Sequence, residues 1–350
     1  MTIVKKEGIL LEPSKQEFES KGVLNPACIR EGNYVHMFYR AIDKDNISSI
    51  GYCKLEGPLK IVERAKEPVL KPEFEYEKAG VEDPRIVKIG STYYMTYVAY
   101  DGQNVRIAYA TSKDLKNFHK KGVISPEISY DEAEDLFRGC KHKLKERYFL
   151  FESFFKDTRG KDVLLWNKDA FLFPKKINEK YVLVHRVLPD IQIIRFKKFE
   201  ELTLDYWKSY FKEFSKHVLL ESKHWYESRN IGGGVPPIET DHGWVLIYHA
   251  VDDLDSGKIY RAGVALLDKK NPQKVLCHPS QPLFEPDQKW EKIGVVGNVV
   301  FPTGAAIFGN KLYIYYGAAD KYIGVVSLNF DELLHELASG KVQFIPYQAW

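Results

Sequence analysis

The sequence has little that would indicate a redox protein, a metal-structured protein or a nucleic-acid-binding protein. Only four cysteines occur among its 350 residues, and no two of them form a Cys-x-x-Cys pair. This spacing argues against a zinc site and against a disulfide framework, so we expect free thiols in a reducing compartment and no metal. The 51 basic and 48 acidic residues leave a net charge of only +3. Such a balance gives no general affinity for nucleic acid or for an anionic membrane, so any anion site must be local.

Long apolar runs are also lacking. Residues 1–7 become charged after the fourth position and contain no apolar core of a signal peptide. No later stretch is long enough to span a bilayer. We therefore expect a cytoplasmic protein with no membrane contact.

Aromatic residues, by contrast, make up 14% of the chain, and tyrosine is the commonest of them. Tyrosine and phenylalanine suit half-buried sheet surfaces, so this composition favours β-strands. Most of these rings are expected to pack between strands. Some could also stack on the faces of a sugar.

A short phrase recurs five times, at intervals of roughly 60 residues with one wider gap between the second and third copies. Each copy begins with a proline-containing segment. A strand rich in aromatic residues follows it and ends in a polar or small residue. The copies start near Asn25-Pro26, Asp83-Pro84, Phe173-Pro174, Pro236-Pro237 and Phe301-Pro302. Repeats of this length fit blades of four short strands, so the sequence predicts an all-β, five-bladed β-propeller formed by one domain, residues 1–350.

Individual elements follow from residue periodicity. We predict strands over residues 34–39, 105–110, 148–151, 244–248 and 312–316, with turns at residues 31–33, 101–104 and 308–310. Residues 200–225 have apolar side chains at helical spacing and predict a helical insertion between the third and fourth blades. We expect this insertion to shape the substrate-binding side, and either it or the N-terminal segment could mediate a homo-oligomer. Residues 330–338 predict a short C-terminal helix that ends at Gly340.

Asp83 is the most reactive-looking group in the repeats. It lies between Glu82 and Pro84, with Arg85 next to the proline. Because a residue before proline is pushed towards an extended backbone, we expect the Asp83 carboxylate to be held in a defined direction. A neighbouring carboxylate and a guanidinium are the groups that shift a pKa. Asp83 is therefore either a general acid in a glycosyl transfer or a strand start whose charges pair with one another.

Several basic residues occur within or just before the third and fourth copies. If the blades close into a ring, these side chains face one cavity, where clustered cations require an anion such as phosphate or a carboxylate. The group consists of Lys168, Arg186, Arg229 and His249. Three glycines and two prolines at residues 232–237 would let the backbone approach a ligand closely or form a tight turn into a blade. Sugar hydroxyls are expected to contact Asn25, Arg40 and Asp320, and Glu82 and Arg85 are expected to join them in binding substrate.

Taken together, these phrases resemble glycoside hydrolase family 130, the β-mannoside phosphorylases and their hydrolytic relatives. The matching phrases lie at residues 25–27, 38–41, 80–85, 167–174, 231–238, 243–251 and 315–320. The family fold is a five-bladed β-propeller, which agrees with the repeats. The resemblance implies inverting attack by inorganic phosphate on a β-mannosyl oligosaccharide, with Asp83 as general acid acting through a hydroxyl of the mannose. The products would be α-mannose 1-phosphate and a shortened acceptor. Phosphate would be the co-substrate, and neither a metal nor another cofactor is implied.

Two alternatives stay open. Where phosphorylases of the family commonly have Arg-Asn, this chain has Lys168-Asp169, and Glu227 stands close to the fourth copy. Either Asp169 or Glu227 could activate water, so an inverting exo-β-mannosidase is the first alternative. The second is a glycan-binding propeller without catalysis. The linkage and the acceptor sugar are left open.

Overall fold

The protein is mostly β-structure, as the sequence predicts. The computed structural model describes residues 2–141 and 143–346. Strand β1 (Thr2–Leu11) precedes five successive units of antiparallel strands. The strands of units one and two are β2 (Gly22–Glu31), β3 (Tyr34–Ile42), β4 (Ser48–Glu56) and β5 (Lys60–Arg64), then β6 (Gly80–Ile89), β7 (Thr92–Tyr100), β8 (Val105–Ser112) and β9 (His119–Val123).

Helices separate the second unit from the third and interrupt the third. They are α1 (Tyr130–Arg138) and α2 (Glu146–Arg159), both before unit three, and α3 (Leu204–Phe211) within it. The strands of unit three are β10 (Lys168–Leu172), β11 (Tyr181–Arg186), β12 (Ile191–Phe196) and, after α3, β13 (Val218–Leu220).

The remaining units complete the chain. Unit four comprises β14 (Asn230–Thr240), β15 (Gly243–Leu254), β16 (Gly257–Leu267) and β17 (Val275–Cys277), followed by the short α4 (Lys289–Lys292). Unit five comprises β18 (Val300–Phe308), β19 (Lys311–Ala318) and β20 (Tyr322–Asn329), and the chain continues through α5 (Phe330–Ser339) and β21 (Phe344–Pro346).

The units are connected at both ends of the chain. β1 pairs antiparallel with β20 and so adds a strand from the N-terminus to unit five, while β21 pairs with the outer side of β1. Units one and two join into one eight-stranded sheet through a single parallel pair, Ser48 with Gly80. The first strand of each unit contacts the first strand of the next, and β18 of the fifth unit contacts β2 of the first. The ends of these five strands are therefore brought to one place.

Turn chemistry explains the register of the hairpins. Two-residue loops that begin with glycine connect the first and second strands of units one and two. Gly32 and Gly90 adopt φ values of 63° and 60°, a left-handed conformation that costs a glycine little. The predicted strands over residues 34–39, 105–110, 244–248 and 312–316 are confirmed, as is the C-terminal helix, which ends at Gly340 with φ 70°.

Two predictions about helical segments are wrong. Residues 148–151 lie in α2 and not in a strand, because this apolar run packs against α1 and the third unit as part of a 14-residue helix. The insertion predicted between units three and four lies inside unit three, between β12 and β13, and its α-helix has only eight residues. Trp207 holds α3 in place: its ring is fully buried and its Nε1 donates to the Ile124 carbonyl at 2.9 Å. Burial of such a ring contributes roughly 2–3 kcal/mol. The wider gap between the second and third copies is occupied by α1 and α2.

In the described part of the chain, no helix is both long and apolar enough to cross a membrane.

Candidate active site

One cavity of about 300 Å³ opens where the first strands of the five units meet. Eight of the residues selected from the sequence line it, together with Asp169. They are Asn25, Arg40, Asp83, Lys168, Arg186, Arg229, His249 and Asp320. Residues from all five units thus converge on a single polar site, which is the arrangement expected of an active site rather than of scattered strand ends.

A repeated irregularity turns three of these side chains towards the cavity. In every unit the pairing of the first and second strands shifts at the same place, which is the signature of a β-bulge. Asn25, Asp83 and Asp169 stand at this position in units one to three, with φ values of 49°, 48° and 55°. The expectation of an extended backbone at Asp83 is therefore wrong, because the bulge overrides the preference that Pro84 imposes. Positive φ at non-glycine residues is uncommon and is often found at functional sites.

Asp83 is held by neighbours from the first unit. Asn25 Nδ2 donates to Asp83 Oδ1 at 2.8 Å, and Arg40 Nη1 lies 3.6 Å from the same oxygen. Glu82 accepts from Arg40 Nη2 at 2.6 Å and from Ser48 Oγ at 3.0 Å. Arg40 therefore joins the two adjacent carboxylates, and the second oxygen of Asp83 has no such partner in the described residues.

Burial shifts the pKa of the acidic groups beside Asp83. Burial opposes the charge of Arg40, but Glu82, Asp83 and Asp320 outweigh it and raise the pKa of Arg40. Burial and then the charge of Asp83 raise the pKa of Glu82 in spite of Arg40. Burial also raises the pKa of Asp320 to about 6. Glu82 and Asp320 therefore take up a proton more readily than exposed carboxylates do.

The opposite group is basic, and Asp169 orders it. Arg186 Nε donates to Asp169 Oδ2 at 2.6 Å, and Arg186 Nη1 donates to the Leu188 carbonyl at 3.0 Å. Burial would raise the pKa of Asp169, but the charges of Arg186 and Lys168 and the hydrogen bond from Arg186 outweigh it and hold the pKa well below its usual range. Asp169 is therefore a charged carboxylate that fixes the Arg186 guanidinium.

Lys168 is the unpaired cation of this group. Burial, followed by repulsion from Arg186, lowers the pKa of Lys168. Within the described residues its ammonium makes no hydrogen bond or ion pair, and its Nζ lies 5.6 Å from the Trp166 ring. A half-buried ammonium without a hydrogen bond or ion pair among the described residues is suited to binding an anion.

His249 is neutral in this setting. Burial lowers the pKa of His249 to about 3, and Asp169 only partly offsets this effect. The ring stacks on Phe301 at 4.2 Å, and its buried Nδ1 has no partner among the described residues. Gly232 is required beside it, because a Cβ there would overlap the His249 ring and lie 2.6 Å from Asp169 Oδ2. The glycine at position 232 thus allows the backbone to lie close to the His249 ring, whereas the sequence predicts close approach to a ligand.

Arg229 reaches the cavity from its rim. Its Nη1 pairs with Asp253, and its guanidinium lies 5.9 Å from the Phe151 ring and 5.7 Å from the Phe154 ring. The group is therefore already paired, in contrast to Lys168.

Arg85 does not line the cavity, although we expected it to bind substrate. Only 1% of its surface is exposed, and its guanidinium donates to backbone carbonyls, including Gly234 at 2.5 Å and Pro84 at 3.0 Å. Because these carbonyls belong to strands β6 and β14, Arg85 links unit two to unit four. Glu82 also stays outside the lining and acts on the cavity through Arg40.

The structure does not bring Glu227 into the cavity either. Its side chain is fully buried: Oε1 accepts from Tyr248 Oη at 2.5 Å and lies 2.9 Å from His278 Nε2. Oε2 accepts from the backbone N–H groups of Lys223 and His224 at 2.7 and 3.0 Å. Both carboxylate oxygens are thus occupied by contacts within the protein, which leaves neither of them to activate water.

Three other units contain the same device. A buried glutamate follows an aromatic residue and accepts from a buried tyrosine of the second strand: Glu19 from Tyr39, Glu77 from Tyr97, and Glu291 from Tyr316. The glutamate precedes the first strand closely in units one and two and by a longer segment in unit five. Arg64, Lys120 and Lys6 supply a cation to the glutamate in these units, and in unit four His278 Nε2 occupies the corresponding place beside Glu227. In the sequence, these glutamates are recognisable as aromatic–glutamate pairs: Phe18-Glu19, Tyr76-Glu77, Tyr226-Glu227 and Trp290-Glu291. Unit three departs from the pattern, with His185 in place of the tyrosine and Tyr210 of α3 as its partner at 2.8 Å.

One group of metal-binding residue types exists in the described part of the chain. His224, Glu227 and His278 have ligand atoms within 4.8 Å of one another. Glu227 is already saturated, and His224 Nε2 lies 3.1 Å from the His278 carbonyl. The hydrogen bonds account for this cluster without an ion.

Sequence reasoning missed part of the cavity wall. Tyr130, Phe155, Arg159 and Trp166 line the cavity from the segment that contains α1 and α2. None of them lies in a repeat phrase, so the repeats carried no signal for them. The predicted insertion at residues 200–225 contributes nothing to the lining.

The chain is similar in sequence and in fold to several known proteins. The family model of glycoside hydrolase family 130, described as beta-1,4-mannooligosaccharide phosphorylase, matches residues 10–338. The chain is 36% identical over 335 residues to a 1,2-beta-oligomannan phosphorylase from Thermoanaerobacter sp. (strain X514), covering 93% of this chain and 96% of that protein. It is also 36% identical over 341 residues to a beta-1,2-mannobiose phosphorylase from the same organism, with the same coverage of both chains. The solved structure of beta-1,2-mannobiose phosphorylase from Listeria innocua, in complex with beta-1,2-mannobiose, is similar with a TM-score of 0.71. Its sequence is 23% identical, and the match covers 96% of this chain and 99% of that one.

Proposed function

The chain belongs to glycoside hydrolase family 130, and on this basis we propose that it is a β-mannoside phosphorylase. It cleaves a β-mannosyl oligosaccharide with inorganic phosphate and releases α-mannose 1-phosphate and a shortened acceptor. The observation that carries this proposal is that Asp83 lines the same cavity as the basic residues Lys168, Arg186 and His249. An acid and an anion site in one cavity are the two parts that phosphorolysis needs.

Asp83 supplies the proton. A phosphate oxygen forms a bond to the anomeric carbon from the α face while the β-glycosidic C–O bond breaks. The departing oxygen takes up the proton of Asp83, either directly or through a hydroxyl of the bound mannose. Inversion follows from this single displacement, and no enzyme nucleophile is required. Asn25 and Arg40 orient the carboxyl group, as their contacts with Oδ1 support.

The basic group binds phosphate. Lys168 provides the unpaired charge, Arg186 a guanidinium fixed by Asp169, and His249 a neutral ring nitrogen. Arg229 contributes from the rim. Charge-assisted hydrogen bonds to a phosphate would satisfy these donors, which the described residues leave incompletely paired. Phosphate is then the only co-substrate, and the proposed steps use no metal or further cofactor.

The mannose to be transferred lies at the acidic end. Asn25, Arg40 and Asp320 face the cavity there and are suited to hydroxyl groups, with Glu82 holding Arg40. The two relatives that are 36% identical are named for β-1,2-linked substrates. We infer that β-1,2-mannobiose or a longer β-1,2-oligomannan is the substrate, in preference to the β-1,4 compounds.

We also infer that the five units are the blades of a five-bladed propeller. The ring of contacts between first strands and the addition of β1 to unit five support this arrangement. A cytoplasmic location is proposed because phosphorolysis consumes inorganic phosphate and because a sugar phosphate is retained in the cell. Cell fractionation tests this location.

Hydrolysis is the second candidate function, and one observation favours it. Asp169 is a charged carboxylate that lines the cavity. An inverting hydrolase would use such a group as base, about 6.5–9.5 Å from the acid. Its ion pair with Arg186 supports the phosphorylase instead, because the pair leaves Asp169 less able to accept a proton.

Product analysis separates the two functions. β-1,2-, β-1,3- and β-1,4-mannobiose are incubated with and without phosphate. We expect α-mannose 1-phosphate only with phosphate, whereas equal release of free mannose under both conditions would establish hydrolysis. Asp83→Asn should lower turnover by about 10²–10⁴-fold, the usual contribution of a general acid. Binding of a mannoside without any turnover by the wild type would instead indicate a glycan-binding protein.

A further inference from the structure

The wall formed by Tyr130, Phe155, Arg159 and Trp166 has a composition unlike that of the rest of the cavity. The Tyr130 and Phe155 rings are 6.1 Å apart with planes at 29°, and Phe155 and Trp166 are 6.5 Å apart with planes at 26°. The Arg159 guanidinium lies 3.5 Å from the Trp166 ring. A row of nearly parallel rings with a guanidinium on one face therefore borders the cavity.

The guanidinium of this row is available to a ligand. Arg159 is exposed at the end of α2, and in the described residues it makes no hydrogen bond or ion pair. Its stacking on Trp166 orients it while leaving its N–H donors free. The indole is also oriented, since Trp166 Nε1 donates to the Gln103 carbonyl at 3.2 Å. The pair is thus held in place before any ligand arrives.

We propose that this wall binds the leaving saccharide, which is the acceptor in the reverse reaction. This inference rests on the proposed function, since it assumes that a mannose residue occupies the inner, charged part of the cavity. The rest of the oligosaccharide must then extend through the mouth, where Arg159 and Trp166 lie. Tyr130 is buried and supports the wall, whereas Phe155, Arg159 and Trp166 have exposed surface. The exposed parts of the two rings can pack on the C–H groups of a sugar, and the guanidinium N–H groups can donate to its hydroxyls. A phosphate ion gains little from contact with aromatic rings, and Lys168, Arg186 and His249 already provide its proposed binding site.

The chain provides a matched control for the Arg159–Trp166 pair. Trp225 is exposed, and the Arg261 guanidinium lies 4.8 Å from its ring. Neither of these two residues lines the cavity. Trp225→Ala therefore removes a similar aromatic residue that stacks with an arginine, without touching the proposed binding wall.

The test uses the synthetic direction, with α-mannose 1-phosphate as donor and mannose or β-1,2-mannobiose as acceptor. Phosphate release is the readout. Arg159→Ala and Trp166→Ala should each raise the KM for the acceptor about 10-fold, the scale of one lost stacking contact, with the KM for α-mannose 1-phosphate unchanged within about twofold. Arg159→Lys and Trp166→Phe should recover part of the loss. Trp225→Ala should match the wild type.

Two kinetic results would overturn the inference. A raised KM for α-mannose 1-phosphate with an unchanged acceptor KM would assign the wall to the donor instead of the acceptor. Unchanged values for both would show that the wall contacts neither. Because Arg159 is exposed, its variants test the inference even if the Trp166 variants fold poorly.

A binding measurement keeps this inference separate from the proposed function. Calorimetric titration of the wild type and the two alanine variants with β-1,2-mannotriose requires no turnover. If both variants bind the trisaccharide more weakly but the wild type releases no phosphate, the wall binds saccharide and the proposed phosphorylase function is refuted. If the wild type is an active phosphorylase and the variants bind the trisaccharide as tightly as it does, the function stands and the inference about the wall is refuted.

Discussion

The substitution Glu227→Gln tests whether this carboxylate is structural, as its contacts indicate, or the base of a hydrolase. It removes one charge and keeps the size of the side chain. Glu227 is fully buried and accepts from Tyr248 and from two backbone N–H groups, with His278 Nε2 at 2.9 Å. Burial opposes its charge, but His278, Tyr248 and the Lys223 amide outweigh burial and lower the pKa of Glu227. The native state therefore favours the charged form.

The expected loss follows from these contacts. The glutamine oxygen can still accept from the backbone, but its NH₂ group then faces the Tyr248 hydroxyl and His278. Hydrogen bonds to charged groups contribute about 1.5–3 kcal/mol each, and rotation of the hydroxyl recovers part of this, so we expect a loss of about 2 kcal/mol. Unfolding entropy of roughly 0.7 kcal/mol/K for a chain of this length converts that loss into a Tm decrease of about 3 °C.

Glu77→Gln is the matched control in unit two. Glu77 is also fully buried, accepts from Tyr97 at 3.2 Å and pairs with Lys120. Thermal unfolding followed by circular dichroism should show similar decreases for both variants. Turnover per folded molecule, measured on a β-mannoside with and without phosphate, should stay within about twofold of the wild type.

The reasoning would be refuted by the opposite pattern. If Glu227→Gln lowered turnover 100-fold or more at unchanged Tm, while Glu77→Gln stayed active, Glu227 would be catalytic.

Three further predictions concern the cavity and its support. Lys168→Ala should raise the KM for phosphate about 10–100-fold and leave the KM for the mannoside unchanged, because a charge-assisted hydrogen bond is lost; equal changes in both would contradict this role. Gly232→Ala should lower phosphorolysis about 10-fold or more by displacing His249, whereas Gly22→Ala, where the nearest atom to a new Cβ is 3.4 Å away, should be nearly neutral. Burial lowers the pKa of His185 to about 3, so only the unfolded state takes up its proton as the pH falls below about 6.5. Urea unfolding should therefore show the wild type losing about 2–3 kcal/mol relative to His185→Gln between pH 6.5 and 4.5, and a constant difference would exclude this effect.

The strands and hairpins were predictable because their signals are local. Alternating aromatic residues and loops beginning with Gly32 or Gly309 specify a strand pair almost independently of the rest of the chain. Residues 148–151 were not, since a short apolar run has no period that separates helix from strand. Their helix is decided by packing, in which Tyr148 contacts Phe214 and donates to Asp190 at 2.8 Å.

The candidate site shows the same division. The repeats were sufficient to predict that Asn25, Asp83 and His249 lie in one cavity, because equivalent strand ends meet when the units form a ring. Proximity in sequence was a poor guide to Glu227, which lies three residues before β14 yet faces away from the cavity. Comparison of the copies of the aromatic–glutamate pair would have identified it as structural.

The sequence by itself determined the repeated unit, the likeness to family 130, and most of the charged and polar residues that line the cavity. Only the tertiary structure decided how these groups are paired. Asp169 forms an ion pair with Arg186, Arg85 donates to backbone carbonyls, and Lys168 has no such partner among the described residues. It also placed Phe155 and Arg159 of α2, and Trp166, in the cavity wall. The physical reason is that periodicity and turn residues act over a few positions, whereas charge pairing and burial depend on side chains that are far apart in the chain and meet only after folding.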